Sequence, residues 1–331
     1  MPVLIDEAKG GDGNPWGVSF MAMFHMSNDS HLFRTWRQLE EAGARREGAG
    51  WVEPSGAVWV PLYEAKMIHQ FDHRWASYEP EGESSRDVGD DEKCDPAFLP
   101  LPRYWVPERE VEERLSAKGW TRGWLMGWRD ITNATNERTV IAAAFPRVGV
   151  GDKFLLMMSS LNAELVAALL GCMNSLTFDF VARQKVGGTS LKYFTMKQLI
   201  ALPPSIYRPA DLAFIVPRVL ELTYTSYSMA PFARDLGFNG PPFPWDPDRR
   251  ALLRAELDAY YAHLYGLTRD ELRYILDPAD VYGADYPSET FRVLKNNEIK
   301  AFGEYRTRRL VLAAYDELTA RGMRPRTEGH Q

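Results

Sequence analysis

The sequence predicts an α+β fold, with a mixed, strand-rich domain over residues 1–204 followed by a helical region over 205–331. Short segments rich in β-branched and aromatic residues dominate the first part, whereas apolar residues at helical spacing dominate the second. Pro203-Pro204 separates the two, because consecutive prolines continue neither a helix nor a central strand. With 331 residues, 45% of them hydrophobic, the chain can form one large or two modest domains.

Local composition predicts the elements of the first part. Leu32, Phe33, Trp36 and Leu39 fall at helical spacing and indicate a helix over 30–44. The β-branched and aromatic content indicates strands, and Gly149 to Asp152 has the composition of a hairpin turn. The predicted strands cover 58–62, 123–131, 139–150 and 153–158. A helix follows over 161–184, with Ser160 or Asn162 as its cap.

Capping signals define the helices of the second part. Asp246-Pro247 predicts a helix that starts there and stops at Gly266. The run from Thr268 to Glu271 is a capping box that opens the next helix. Residues 288–320 predict one long or broken helix, with Gly303 as its weak point.

Charge and cysteine usage limit the class of protein. The formal net charge is −6, which argues mildly against a dedicated nucleic-acid domain. Much of the acid lies in residues 79–95, which show no hydrophobic pattern and predict a mobile loop. Cys94 and Cys172 sit in unlike contexts, so we expect no disulfide. There is also no apolar run of membrane-spanning length and no signal-peptide pattern, and we expect a cytoplasmic protein without a membrane partner.

Residues 60–78 interleave cations with aromatic rings. Lys66, His69 and Arg74 stand among several aromatic side chains, a composition that suits a surface binding phosphates and stacking on bases or sugars. The alternative is a buried aromatic strand and turn with solvated charges. Arg129 and Arg138 bracket a polar bend, where either could reach a guanine edge or pair with a neighbouring acid.

A glycine-bearing basic segment follows at residues 185–194. Paired glycines allow close backbone approach to a phosphate, hydroxyl groups offer donors, and the flanking lysines add charge. The alternative is an ordinary glycine-rich connection between two elements. The candidate DNA-binding residues here are Lys185, Gly187, Gly188, Thr189, Lys192 and Tyr193.

Other chemistry is weakly signalled. Glu64 and Lys66 follow a short apolar strand and match half of a metal-dependent nuclease motif, but its upstream acid partner is not evident. His69, Asp72 and His73 could ligate a metal, but the two histidines would converge only if a helix carried them. We therefore expect neither a catalytic residue nor a metal ligand in this chain.

Several short motifs, taken in order along the chain, carry a resemblance to a known family. They are N-P-W-G-V at 14–18, N-D-S-H-L-F at 28–33, Y-E-A-K at 63–66, Q-F-D-H-R at 70–74, R-D-I at 129–131, E-R-T-V-I-A-A at 137–143, F-D-F-V-A-R-Q-K-V-G-G-T at 178–189, Q-L-I-A-L-P-P at 198–204, E-T-F at 289–291 and G-E-Y-R-T-R-R-L at 303–310. Together they resemble the target-recognition and C-terminal regions of Eco57I-like adenine-specific DNA methyltransferases. These are restriction-modification and phage-defence enzymes, whose specificity domain is similar to that of the TaqI methylase.

The chain departs from that family at its catalytic motifs. Asn14-Pro15-Trp16 lacks the second proline of the adenine-binding motif, and Ala97 replaces it in the sequence D-P-A-F at 95–98. A glycine-rich loop for S-adenosylmethionine is not evident either. The resemblance thus implies a module that recognises double-stranded DNA, holds no cofactor itself, and works with a catalytic methyltransferase domain or subunit that binds S-adenosylmethionine. The alternatives are a metal-dependent nuclease and a scaffold subunit of a defence complex that does not bind DNA.

Overall fold

Antiparallel sheets occupy the N-terminal half of the chain and helices the C-terminal half, which confirms the predicted α+β fold. A computed structural model describes residues 2–80, 82, 84–287 and 289–326. The strands are β1 (Val18–Met21), β2 (Arg45–Glu47), β3 (Gly50–Val52), β4 (Val58–Tyr63), β5 (Ala76–Tyr78), β6 (Ser85–Asp87), β7 (Tyr104–Pro107), β8 (Trp124–Arg129), β9 (Ala142–Pro146), β10 (Gly149–Val150) and β11 (Phe154–Ser159). The helices are α1 (Trp36–Glu41), α2 (Asp90–Cys94), α3 (Glu108–Ser116), α4 (Ala163–Asn174), α5 (Leu176–Lys185), α6 (Tyr193–Lys197), α7 (Pro209–Thr223), α8 (Ala230–Asp235), α9 (Pro247–Leu264), α10 (Arg269–Leu276), α11 (Ala279–Tyr282), α12 (Arg292–Phe302) and α13 (Arg306–Ala320). Short 3₁₀ turns lie at Glu7–Gly13, Ser30–Leu32, Ala65–Met67, Pro204–Ile206 and Tyr227–Met229.

The central sheet is four-stranded and antiparallel, in the order β1-β11-β8-β9. Every residue of β11 is buried, so both faces of this strand are covered by protein. Gly127 in β8 lies so close to β11 that a Cβ atom there would be 2.2 Å from the carbonyl oxygen of Leu155. Close backbone packing therefore requires glycine at this position.

The second sheet is organised around β4. This strand pairs with β3 and β7 in antiparallel fashion and with β10 in parallel. The sheet carries a small tryptophan-rich core, separate from the main one, in which Trp51, Trp59, Trp105 and Leu39 are buried and Trp36 packs against them. The indole of Trp105 donates to the carbonyl oxygen of Ala49 at 2.8 Å.

The helix predicted over 161–184 is in fact two helices. Asn162 caps α4, as predicted, but Ser175 adopts extended backbone and its hydroxyl caps α5. The two helices bend by 60° at this break. Among the described residues no single helix has the length and apolarity to cross a membrane; this bent pair reaches both only when its helices are combined.

The predicted helix starts of the second part are confirmed. The Asp246 carboxylate accepts from the first N–H groups of α9, and Thr268 forms a capping box with Glu271. Gly303, at φ +76°, separates α12 from α13. Helix α9 packs on α7 and α13, and α7 packs on α4, which joins the helices to the sheet part.

Three local predictions are wrong. Part of the predicted acidic loop is ordered structure, since 85–87 pair with β5 and 90–94 form α2; its residues 81 and 83 lie outside the described part. Gly149 and Val150 form β10 beside β4 instead of a hairpin turn. The helix predicted over 30–44 shrinks to a 3₁₀ turn and α1, because Thr35 caps a new start.

Candidate nucleic-acid interface

Three segments singled out from the sequence meet on one face. The carbonyl oxygen of Asp130 accepts from the Leu191 N–H at 2.7 Å, and that of Thr189 accepts from the Thr132 N–H at 3.1 Å. These bonds join the glycine-bearing segment to the end of β8. The Arg129 Nε donates to the carbonyl oxygen of Ile68 at 2.7 Å, which brings in the segment that holds Lys66.

A cleft of about 370 Å³ opens on this face. We call it the basic cleft; it is lined by Met26, Glu64, Ala65, Lys66, Arg129, Ile131, Gly151, Asp152 and Lys153. Ile131 is 53% exposed and contributes apolar surface at its edge. The cleft thus combines cations with apolar surface, the composition expected where a protein contacts sugars and bases.

The glycine loop, residues 186–191, lies beside the basic cleft. Gly187, Gly188 and Thr189 are exposed, and a Cβ atom at either glycine would meet no other atom within 4 Å. Neither glycine has a positive φ. Glycine is thus required here neither by backbone conformation nor by intramolecular packing, which favours a role in close approach by another molecule.

The lysines around the loop are held by local contacts. The Lys192 Nζ lies 2.6 Å from the buried Asp130 carboxylate, and the Lys185 Nζ donates to the carbonyl oxygen of Gln198 at 2.9 Å. Lys153 pairs with Asp152 at 3.0 Å. Counting Lys192 and Asp130 with the lining of the basic cleft gives four cations and three carboxylates, so the face is positive although the whole chain is acidic.

Tyr193 is not the stacking residue that the sequence suggested. Its ring packs against Phe20 at 5.2 Å and meets the edge of Trp128 at 5.9 Å. Burial, together with the charges of Asp130 and Asp152, raises the pKa of its hydroxyl to about 12. The neighbouring Phe194 is 68% exposed and offers a free aromatic face instead.

Arg74 is a structural residue and cannot contact DNA. Its side chain is fully buried, and the guanidinium donates to the carbonyl oxygens of Lys93, Asp95 and Thr225 at 2.8–2.9 Å. Burial lowers its pKa. Residues 60–78 therefore largely match the alternative prediction of a buried aromatic strand and turn, and within them only Lys66 is exposed.

Arg138 and His69 belong to a different cavity, between the sheet part and the helices. Arg138 is 8% exposed; it donates to the carbonyl oxygen of Asn174 and lies 3.5 Å from Asp179. His69 stacks on Trp75 at 4.3 Å. Burial, followed by the charge of Arg129, lowers the pKa of His69 to about 3, so its imidazole is neutral near pH 7.

Both residues of the nuclease hypothesis, Glu64 and Lys66, contact Tyr78. Glu64 accepts from the Tyr78 hydroxyl at 2.7 Å, and the Lys66 ammonium lies 4.4 Å above the Tyr78 ring. His73 is buried, with its Nε2 2.9 Å from the Ser228 hydroxyl. Within the described ranges, no group of three histidine, cysteine or acidic side chains is arranged to hold a metal ion.

Sequence reasoning missed Lys153 and Ile131. It offered Tyr193 or Phe194 as the stacking residue, because the sequence alone does not say which of two neighbouring rings is buried. Lys153 and Ile131 reach the face only through strand pairing.

Comparison of the sequence with protein-family models and with curated proteins gave no match.

Proposed function

We propose that this chain is the DNA-recognition module of an adenine-specific methylation or restriction system, and that it binds duplex DNA through the basic cleft and the glycine loop. The observation that carries the proposal is the convergence of Lys66, Arg129 and Lys192 on one face with two unconstrained glycines. The assignment to methylation depends on the ordered motifs alone.

Each part of the face has a distinct task under this proposal. Lys192 and Lys185 contact phosphates, and the exposed amides of the glycine loop approach the backbone of the DNA. Arg129 lines the basic cleft and is held by two carbonyl oxygens, because its Nε donates to that of Ile68 and its Nη2 donates to that of Lys66 at 3.4 Å. A guanidinium held in this way suits bidentate contact with a guanine edge. Phe194 supplies a stacking surface.

The catalytic step requires a partner under this proposal. The sequence lacks the family's adenine-binding and cofactor motifs, so a separate domain or subunit supplies the pocket for the extruded adenine and S-adenosylmethionine. The purified chain should therefore neither bind S-adenosylmethionine in calorimetry nor methylate DNA. Methyl transfer by the chain alone would overturn this division of roles.

Fluorescence anisotropy across a salt series tests the DNA interface. Lys192→Ala should weaken binding to all duplexes similarly and lower the salt slope by about one unit, because one fewer counterion is released. Arg129→Ala should cost about 1–3 kcal/mol for the cognate duplex and little for a scrambled one. Gly188→Ala should leave stability unchanged and weaken binding, because the site of its Cβ is empty in the free protein.

Lys300→Ala is the matched control, since Lys300 is an exposed lysine on α12, outside the lining of the basic cleft and outside the glycine loop. It should change neither the affinity nor the salt slope.

Unchanged slopes in both the Lys185→Ala and Lys192→Ala variants would remove the glycine loop from the interface. The absence of any salt-sensitive binding would favour the scaffold alternative. Magnesium-dependent cleavage that is lost in Glu64→Gln would favour the nuclease.

A further inference from the structure

A second cavity of about 320 Å³ lies between residues 69–71, the end of α4, helix α9 and helices α12 and α13. Its volume is within the range of small-molecule sites. It is distinct from the basic cleft, because the two cavities share no lining residue: His69 lines this cavity, whereas Lys66 lines the basic cleft. We call it the interlayer cavity. Its apolar wall is formed by Phe71, Leu257, Leu294, Phe302 and Leu310.

Arg254 of α9 is the distinctive residue of the interlayer cavity. Its guanidinium forms neither a hydrogen bond nor an ion pair with any residue that the structure describes, and the residue is exposed to solvent at the cavity. A second cation, Arg138, lines the same cavity, but its Nε lies 3.5 Å from the Asp179 carboxylate and its Nη2 donates to the carbonyl oxygen of Asn174. An arginine kept unpaired in a recess is a ready partner for an anion.

Hydrogen-bond acceptors complete the lining. Glu137, Asp258 and Glu298 lie near enough to Arg254 to raise its pKa, but none of them makes an ion pair with it. Glu298 is bound to the Thr307 hydroxyl and N–H, and Glu137 to the Asn297 amide. The remaining acceptor capacity of these carboxylates suits the hydroxyl and amino groups of a ligand rather than a second anion.

The backbone at the cavity is strained. Phe71 has φ +57°, and it is the one non-glycine residue in the left-handed region among those described. A bulky side chain seldom adopts this conformation, and such residues cluster at functional sites. Here the left-handed turn sets Phe71 in the wall of the cavity, 3% exposed.

We propose that the interlayer cavity binds a small organic phosphate of about mononucleotide size. The phosphate pairs with Arg254, beside the positive charge of Arg138. The apolar wall covers the flat part of the ligand, and the carboxylates accept from its hydroxyl or amino groups. This site is independent of the proposed DNA interface, with which it shares no lining residue.

Isothermal calorimetry with adenosine 5′-monophosphate, and with adenosine as the ligand that lacks the phosphate, tests the proposal. The wild-type chain should bind the monophosphate at least about tenfold more tightly than adenosine, because charge-assisted hydrogen bonds to arginine depend on the phosphate. Arg254→Gln should weaken binding of the monophosphate by about tenfold or more. Its melting temperature should stay close to that of the wild type, since Arg254 has no hydrogen bond to lose.

Arg249→Gln is the matched control on the same helix, because Arg249 pairs with Glu221 outside the cavity. It should keep wild-type affinity, and so should Lys192→Ala, which separates this site from the DNA interface. The proposal is overturned if the wild-type chain gives no binding heat at about 1 mM monophosphate. It is equally overturned if Arg254→Gln and Arg249→Gln bind the monophosphate alike.

Discussion

Asp258 provides the sharpest test of how burial affects this protein. Its side chain is 6% exposed, and its Oδ1 accepts from the Leu176 N–H at 2.7 Å. Burial raises its pKa from 3.8 to about 6, although Arg138 and Arg254 act in the opposite direction. The folded chain therefore binds more protons than the unfolded chain between about pH 4 and pH 6. Stability from this group is present at low pH and is lost as the pH rises through about 6.

The size of the effect follows from the shift. A rise of about two pKa units corresponds to about 3 kcal/mol of stability that the wild type loses between acid and neutral pH. Asp258→Asn removes the titrating charge and keeps an oxygen for the Leu176 N–H. The variant should therefore be more stable than the wild type at pH 8, by up to about 3 kcal/mol, and this gain should vanish near pH 4.

Urea denaturation at several pH values, with the difference between the two proteins taken at each pH, is the measurement. Taking the difference cancels every other titrating group. Asp248→Asn is the control, because Asp248 is an exposed residue of the same helix whose ion pair with Arg306 contributes at most about 1 kcal/mol. If the Asp258→Asn difference does not change with pH, the carboxylate of Asp258 is not destabilised by burial and the reasoning fails.

Three further predictions concern other buried groups. Burial lowers the pKa of His73 from 6.5 to about 3, so the free energy of unfolding falls as the pH drops below about 6.5. In urea denaturation, His73→Gln should lose about 2 kcal/mol less stability than the wild type between pH 7 and pH 5. An equal loss in the two proteins would contradict this. Arg74→Met should lower the free energy of unfolding by about 3–5 kcal/mol, because three buried carbonyl oxygens lose their donor. A shift in the urea midpoint equivalent to less than about 1 kcal/mol would show that Arg74 is dispensable. Gly127→Ala should lower the melting temperature because its Cβ would collide with the Leu155 carbonyl, whereas Gly188→Ala should leave it unchanged; equal melting temperatures would show that the sheet accommodates the methyl group.

The sequence was most informative where local chemistry decides the structure. Asp246, Thr268 and Gly303 set helix ends through contacts within a few residues, and all three act as predicted. Acidic composition was misleading for residues 79–95. Val88 is buried, and the Lys93 Nζ pairs with the Asp72 carboxylate at 2.7 Å. The burial and the ion pair both depend on residues that are distant in sequence.

The candidate site was predictable in part, for the same reason. Lys66 and the tip of the glycine loop at 187–189 are exposed, and the half-buried Arg129 lines the basic cleft between them and the core. Arg74 and Arg138 have the same chemistry but lie inside the protein. An arginine that binds carbonyl oxygens in a core cannot be told from one that binds phosphates by its sequence neighbours alone, because both need a fixed, planar set of donors.

The separate tryptophan core has an optical consequence. Trp36, Trp51 and Trp105 meet nearly edge to face, with ring centroids 4.9–6.0 Å apart. Indoles at such separations couple their electronic transitions, so this corner should contribute a distinctive circular dichroism band that isolated tryptophans lack. Because these residues form a cluster apart from the main core, the band reports the separation of α1, β3 and β7, on which the three tryptophans lie. The chain thus carries an intrinsic probe of local opening that needs no label.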